Sequence, residues 1–320
     1  MSKYRNALPH LKNLLFMTDG GLETTLIFHE HLELPLFSAI ELLRTEAGAQ
    51  TLYQYYARFA ELARQRQLGL LLESASWRAS PDWGQKLGYD QATLAALNRR
   101  SIDVMVKVRE QYETTTSPMV ISGVLGPRGD GYRPDKRMSA PEAADYHRWQ
   151  IQIFADTEAD LIAAYTLNYL EEALGIVEAA RQTQMPVAIS FTVETDGRLP
   201  TGQTLREAIE QVDHLSNRYP AYYMINCAHP PHFQQALQDS GDWLQRIRGI
   251  RANASKCSHA ELDNSPELDA GNPRELAQEY RELRQQLPQL TIVGGCCGTD
   301  YRHIAAICEA VAERQEAVEA

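Results

Sequence analysis

Eight short apolar runs punctuate the chain: Leu14–Thr18, Leu68–Glu73, Met119–Val124, Asp160–Tyr165, Val187–Thr192, Tyr222–Cys227, Ile247–Ala252 and Leu290–Gly294. Their hydrophobic residues are largely consecutive rather than alternating, the pattern of strands buried on both faces. Between the runs the period changes to 3.6 residues. Leu205, Ala208, Ile209 and Val212 fall at i, i+3, i+4 and i+7, and Ile304, Ile307, Cys308 and Val311 repeat that spacing. Leu170 to Ala180 reads as another helix, and Pro186 opens the next run. Eight strand–helix alternations predict an α/β fold, a single (β/α)8 TIM barrel over residues 1–320, in preference to two Rossmann halves. No G-x-G-x-x-G or P-loop follows any run, which removes the motif support for a nucleotide-binding doubly wound sheet.

Two stretches break the alternation. Gly126 to Pro141 is rich in Gly and Pro, and Ser255 to Pro273 is polar and acidic, so both read as long loops. In a barrel, loops that follow strands lie on the catalytic face. Composition then narrows the function. The 31 Lys and Arg against 42 Asp and Glu leave a net charge of −11, which argues against a nucleic-acid or anionic-membrane partner. No run reaches the length of a transmembrane helix, and Leu14 to Met17 is too short for a signal peptide. The five cysteines, two of them adjacent, are a poor disulfide framework and suit a reducing, cytoplasmic setting. No exposed apolar stripe stands out to mark an oligomer interface.

The sharpest chemistry lies in Val293-Gly294-Gly295-Cys296-Cys297-Gly298-Thr299. A strand runs into two thiols flanked by glycines, Thr299 or Asp300 caps the helix that follows, and its N-terminus favours thiolate. The bland alternative is two small core residues at a strand end. Cys227 ends the sixth run, and in a barrel the sixth and eighth strands open at the same mouth. Three thiolates then converge there. Three protein ligands with one open position are a catalytic zinc arrangement, and soft sulfur selects zinc over Mg²⁺ or Ca²⁺. A vicinal Cys296–Cys297 redox pair is the weaker reading, since adjacent cysteines close a strained ring and no flavin or NAD motif accompanies them. His229 and His232 read as surface histidines behind Pro230 and Pro231, and Cys308 as core.

At these residues the chain resembles the zinc-dependent homocysteine S-methyltransferases. The landmarks are Asp19-Gly20-Gly21, Ser74-Ala75-Ser76-Trp77-Arg78-Ala79-Ser80, Gly126-Pro127, Ser190-Phe191-Thr192, Asn226-Cys227 and Gly294 to Thr299. The resemblance implies a TIM barrel with Zn²⁺ on Cys227, Cys296 and Cys297. It also implies that substrate contacts fall at Asp19, Ser76, Tyr165 and Asn226. The implied reaction joins a small-molecule thiol and a methyl donor, giving methionine from homocysteine. S-methylmethionine, S-adenosylmethionine and betaine all remain open as donors. One position departs from the family pattern: Tyr165 stands where a glutamate usually holds the substrate's amino group. On the sequence alone, Tyr165→Glu is expected to restore a charge partner and strengthen homocysteine binding about 10- to 150-fold. The alternatives on the same fold are a non-catalytic zinc- or thiol-binding barrel and a methyltransferase for a different thiol.

Overall fold

The computed structural model describes residues 2–12, 14–263 and 267–318. All eight apolar runs become parallel strands: β1 (Phe16–Met17), β2 (Gly69–Glu73), β3 (Met119–Leu125), β4 (Leu161–Leu167), β5 (Val187–Phe191), β6 (Tyr222–Asn226), β7 (Ile247–Ala252) and β8 (Ile292–Gly295). They pair in sequence order and close into a barrel, with Phe16 of β1 opposite Ile292 of β8. Alternate side chains face opposite ways. Phe16, Leu71, Val120, Tyr222 and Met224 fill the barrel interior, while Met17, Leu70, Leu72 and Ile121 pack outward against helices.

The outer layer is built from α1 (Glu46–Arg66), α2 (Gln91–Tyr112), α3 (Ala140–Ala155), α4 (Leu170–Gln182), α5 (Leu205–Ser216), α6 (Pro273–Gln286) and α7 (Tyr301–Val318). The periodic positions on α5 and α7 are buried, as their spacing predicts, and Thr204 with Glu207 forms a capping box on α5. Between β6 and β7 the expected helix is replaced by the short turns Pro230–Phe233, Ala236–Gln238 and Asp242–Arg246. There Asp239-Ser240-Gly241, with Gly241 at φ 149°, interrupts the helical pattern. The loop from Gly126 is present as expected. The Ser255–Pro273 loop instead carries a short helix, His259–Asp263, and its residues 264–266 lie outside the described residues. No helix among the described residues is long and apolar enough to cross a membrane.

The N-terminal segment stoppers the bottom of the barrel. His10, in the turn Pro9–Leu11, is fully buried edge-on to Phe16 and Tyr222, and neither ring nitrogen has a hydrogen-bond partner. Burial pushes its pKa down to about 3, so the imidazole folds neutral. The unfolded chain protonates it below about 6.5. Its stabilising contribution is therefore complete above that pH and is lost as pH falls toward the folded value. By pH 4.5 the loss reaches about 2–3 kcal/mol. Urea denaturation should show wild type losing that much more stability than His10→Phe between pH 7 and 4.5. Parallel losses would remove the imidazole as the cause.

Candidate metal and substrate site

The C-terminal strand ends enclose a cavity of about 430 Å³, lined by Asp19, Glu23, Glu73, Tyr165, Arg251 and the three cysteines among others. Cys227 follows β6 in the left-handed region at φ 53°, and Thr166, inside β4, sits at φ 60°. Non-glycine residues held there, one of them β-branched, store strain of the kind concentrated at functional sites. Cys296 and Cys297 follow β8. The Sγ atoms of Cys227, Cys296 and Cys297 lie within 4.8 Å of one another, a donor set and spacing suited to a metal ion. Gly294 and Gly295 permit this arrangement, because a Cβ at either would strike Thr18 or Thr299.

The expectation that no disulfide forms is corrected here. Cys227 and Cys296 are paired sulfur to sulfur, with Cα atoms 5.5 Å apart, and Cys297 is free. Their separation of 69 residues conceals a pairing that barrel closure makes. The thiolate expectation also changes. Burial, reinforced by the Glu23 carboxylate, pushes the Cys297 thiol up to about 11. Helix α7 begins only at Tyr301, beyond the left-handed Gly298, so its N-terminus does not offset burial. A cation placed among these sulfurs reverses that balance, because a coordinating thiol is deprotonated outright. Asp300 caps α7 as expected, accepting from the Arg302 backbone N–H at 2.9 Å.

All three cysteine peptides are tied to the end of β7. Cys227 N–H donates to the Arg251 carbonyl at 3.1 Å, Cys296 N–H to Ala252 at 2.8 Å, and Ala254 N–H to the Cys297 carbonyl at 3.0 Å. The Tyr280 hydroxyl of α6 braces the same seam, accepting from Ala252 N–H at 2.9 Å and meeting the Ile250 and Gly294 carbonyls.

The four residues expected at the substrate are placed differently. Asp19 lines the cavity and pairs with Arg251 at 2.8 Å, while accepting from the Tyr55 hydroxyl at 3.1 Å. Ser76 does not reach the cavity wall; it is fully buried, donating to the Val124 carbonyl at 2.8 Å beside Ser74. Asn226 reaches the wall with its amide already engaged. It accepts from Thr166 N–H at 2.9 Å and Ser190 Oγ at 2.6 Å, and donates to Thr166 Oγ1 at 2.9 Å. It holds the strained Thr166 in place. Tyr165 points into the cavity and donates its hydroxyl to Glu73. Burial raises its pKa well above the ordinary phenol value, so it stays a neutral phenol.

Sequence reasoning missed Glu73 and Arg251. Arg251 contacts both Glu73 and Asp19, donates to the Gly295 and Gly20 carbonyls at 2.9 and 3.0 Å, and lies 5.1 Å from the Tyr165 ring centre. Glu23 is a further omission, with burial raising its pKa to about 7. His229 is corrected as well. It is buried against Glu279 at 3.0 Å rather than on the surface, and belongs to no metal-ligand group among the described residues.

This geometry reverses the expectation for Tyr165→Glu. The new carboxyl would face Glu73 and remove its hydroxyl donor. A buried acceptor stripped of its partner costs about 1–3 kcal/mol, and like charges in one site keep one group protonated. The variant should unfold at lower urea and bind homocysteine no more tightly than wild type. A stable variant with a tenfold gain in affinity would refute this placement.

A family model described as homocysteine S-methyltransferase matches residues 16–311. The homocysteine S-methyltransferase of Escherichia coli strain K12 is 28% identical over 256 residues, covering 73% of this chain and 77% of that protein. Homocysteine S-methyltransferase 1 of Arabidopsis thaliana is 23% identical over 325 residues, 91% of each chain. Among solved structures, the metallated form of the homocysteine methyltransferase MmuM from Escherichia coli matches with a TM-score of 0.73, 21% identity, and coverage of 95% of this chain and 98% of that one. Its oxidized form matches at 0.75 with 22% identity, covering 95% and 99%. Both structural matches carry the same barrel.

Proposed function

The chain belongs to the homocysteine S-methyltransferase family, and from that premise we propose that it moves a methyl group from a sulfonium or ammonium donor to homocysteine in a zinc-dependent reaction. It is a thiol S-methyltransferase; the metal, the donor class and the roles of individual residues are our reading. The observation that carries this reading is the convergence of three cysteine sulfurs within 4.8 Å at the wall of a closed-barrel cavity. Cys227, Cys296 and Cys297 would hold the zinc, with the Cys227–Cys296 pair reduced. Bound zinc with three thiolates keeps one position open and turns a substrate thiol into a thiolate at neutral pH.

The chain's own groups do the rest. A free alkyl thiol is only a few per cent ionised at neutral pH, so the chemistry rests on binding it close to these cysteines. Asp19 faces the same cavity with a carboxylate suited to an amino-acid ammonium. Asn226, fixed by Thr166 and Ser190, keeps the end of β6 and hence Cys227 in register. Trp77 and Tyr132 line the cavity and narrow the space open to water. The donor is a small sulfonium or ammonium compound, with S-methylmethionine, S-adenosylmethionine and betaine as the candidates. A donor-by-acceptor activity matrix on reduced, zinc-loaded protein tests the assignment. Methionine formed from homocysteine with one of these donors supports it; no thiol methylated by any of them refutes it.

A further inference from the structure

Two arginines, Arg78 and Arg251, line the cavity, and they are matched very differently by anions. Arg251 is ion-paired with both Asp19 and Glu73. Arg78, in the turn that follows β2, has no carboxylate within ion-pair distance among the described residues. Its charge feels Asp130 and Glu23 only from farther away, and burial still pulls its pKa down. The guanidinium nevertheless remains protonated. A partly desolvated cation without a counter-charge is costly unless a bound anion completes it.

The position of Arg78 is built rather than incidental. Its guanidinium carbon lies 4.3 Å from the Trp83 ring centre, 4.9 Å from that of Trp77 and 5.9 Å from that of Phe37. Both indoles are themselves held: Trp83 Nε1–H donates to the Pro127 carbonyl and Trp77 Nε1–H to the Tyr165 carbonyl, each at 3.5 Å. Of the five N–H donors on a guanidinium, one is used, from Nη1 to the Leu36 carbonyl at 2.6 Å. The others meet no acceptor among the described residues. Leu36 and Phe37 both sit in the left-handed region, at φ 53° and 56°, so the loop after β1 is strained to bring that carbonyl and that ring to Arg78. Stacking on aromatic rings fixes the guanidinium plane, and a fixed plane presents its edge for two parallel hydrogen bonds.

We propose that Arg78 is a carboxylate anchor inside the substrate cavity, a specificity-determining residue that selects substrates bearing a carboxylate besides the reacting thiol or methyl-onium group. A carboxylate supplies the missing negative charge and two oxygens that match the fork of the guanidinium. Asp19, Glu23, Glu73 and Asp130 make the rest of the wall acidic, so an anion entering the cavity is repelled from those parts and drawn to Arg78. Arg78 also lies within electrostatic reach of Cys297, which puts the anchor and the sulfur cluster in range of the same small molecules. Homocysteine and each donor candidate named above carry a carboxylate, and that group is the chemistry they share. The inference rests on the thiol-methylation reading above.

The test uses pairs of probes that differ only in the carboxylate: homocysteine and 3-aminopropane-1-thiol, S-methylmethionine and (3-aminopropyl)dimethylsulfonium, betaine and tetramethylammonium. Isothermal titration into reduced, zinc-loaded protein reads binding independently of turnover. In wild type at least one pair should favour its carboxylate member by about tenfold or more. Arg78→Gln should bring that ratio close to one while leaving zinc content and the affinity for the carboxylate-free member unchanged. If Arg78→Gln does not accumulate folded, Arg78→Lys, which keeps the charge but loses the fork, should cut the ratio at least about threefold. Discrimination in the thiol pair assigns the anchor to the acceptor, and discrimination in an onium pair assigns it to the donor; either result supports the proposal. Equal affinities within every pair overturn it, as does a ratio unchanged in the Arg78 variant, which would leave the arginine as aromatic packing alone. Failure of every probe to bind the zinc-loaded protein instead overturns the acceptor and donor reading on which it stands, and the proposal falls with it.

Discussion

Cys296→Ser is expected to lose stoichiometric zinc and, with it, methyl transfer to homocysteine. Losing even a residue that only orients a metal ligand typically weakens binding about 10- to 100-fold. Removing one of three thiolates should cost more, above about 100-fold in metal affinity. The hydroxyl that replaces Sγ is nearly isosteric but does not ionise near neutral pH. The surrounding structure gives no compensating ligand, because the one metal-binding cluster found among the described residues is the cysteine set itself. Cys257→Ser is the control, since that thiol is exposed and outside the cluster. Metal analysis of both variants, prepared with a thiol reductant, separates the outcomes. A Cys296→Ser protein that keeps one zinc per chain and wild-type turnover would refute the assignment.

Arg251→Met is expected to destabilise the fold by about 3–5 kcal/mol near neutral pH, the cost of breaking a buried ion pair by deleting one partner. Asp19 and Glu73 would then face each other without a cation, and the Gly20 and Gly295 carbonyls would lose their donor. The direction with pH follows from the same chemistry. Removing the guanidinium raises the folded pKa of the acidic pair above its unfolded value. The protonated pair is then the form that folding favours, so the variant's relative stability is greatest at low pH and falls as pH rises. Urea denaturation at pH 5 and pH 8 should show the larger deficit at pH 8. A deficit under about 1 kcal/mol at pH 8 would mean that the cluster behaves like an exposed ion pair.

The barrel was legible because a parallel strand buried on both faces writes itself as a largely continuous apolar run, and the runs do so except where Arg248 and Arg251 interrupt the seventh. The cysteines were legible because Gly294-Gly295-Cys296-Cys297-Gly298 has little reason to exist in an ordinary strand end. Glu73 and Arg251 were not legible for opposite local reasons. Glu73 is the last residue of β2 and reads as the polar end of an apolar run. Arg251 sits in Ile247-Arg248-Gly249-Ile250-Arg251-Ala252, where Arg248 is partly exposed while Arg251 turns inward. Only closure of the sheet brings Arg251 to Asp19, 232 positions away. Ser76 erred in the other direction: it lies in the turn after β2, where it is fully buried and donates to the Val124 carbonyl, while Ser74 lines the cavity. The missing β6–β7 helix reflects Pro230 and Pro231 opening a turn that Gly241 prevents from continuing.

The ties between β7 and the cysteine peptides bear on how the site opens. The amides of Cys227 and Cys296 depend on the Arg251 and Ala252 carbonyls at the end of β7, and the Ala254 amide just beyond it on the Cys297 carbonyl, across the β6–β7 and β7–β8 seams. They belong to one cooperative unit, so their hydrogen–deuterium exchange should rise together under mild denaturant rather than residue by residue. A single sub-global opening of that seam would scatter all three sulfurs while the opposite half of the barrel stayed closed. The lifetime of the thiol cluster is therefore set by the local unfolding free energy of β7, a strand that carries no cysteine.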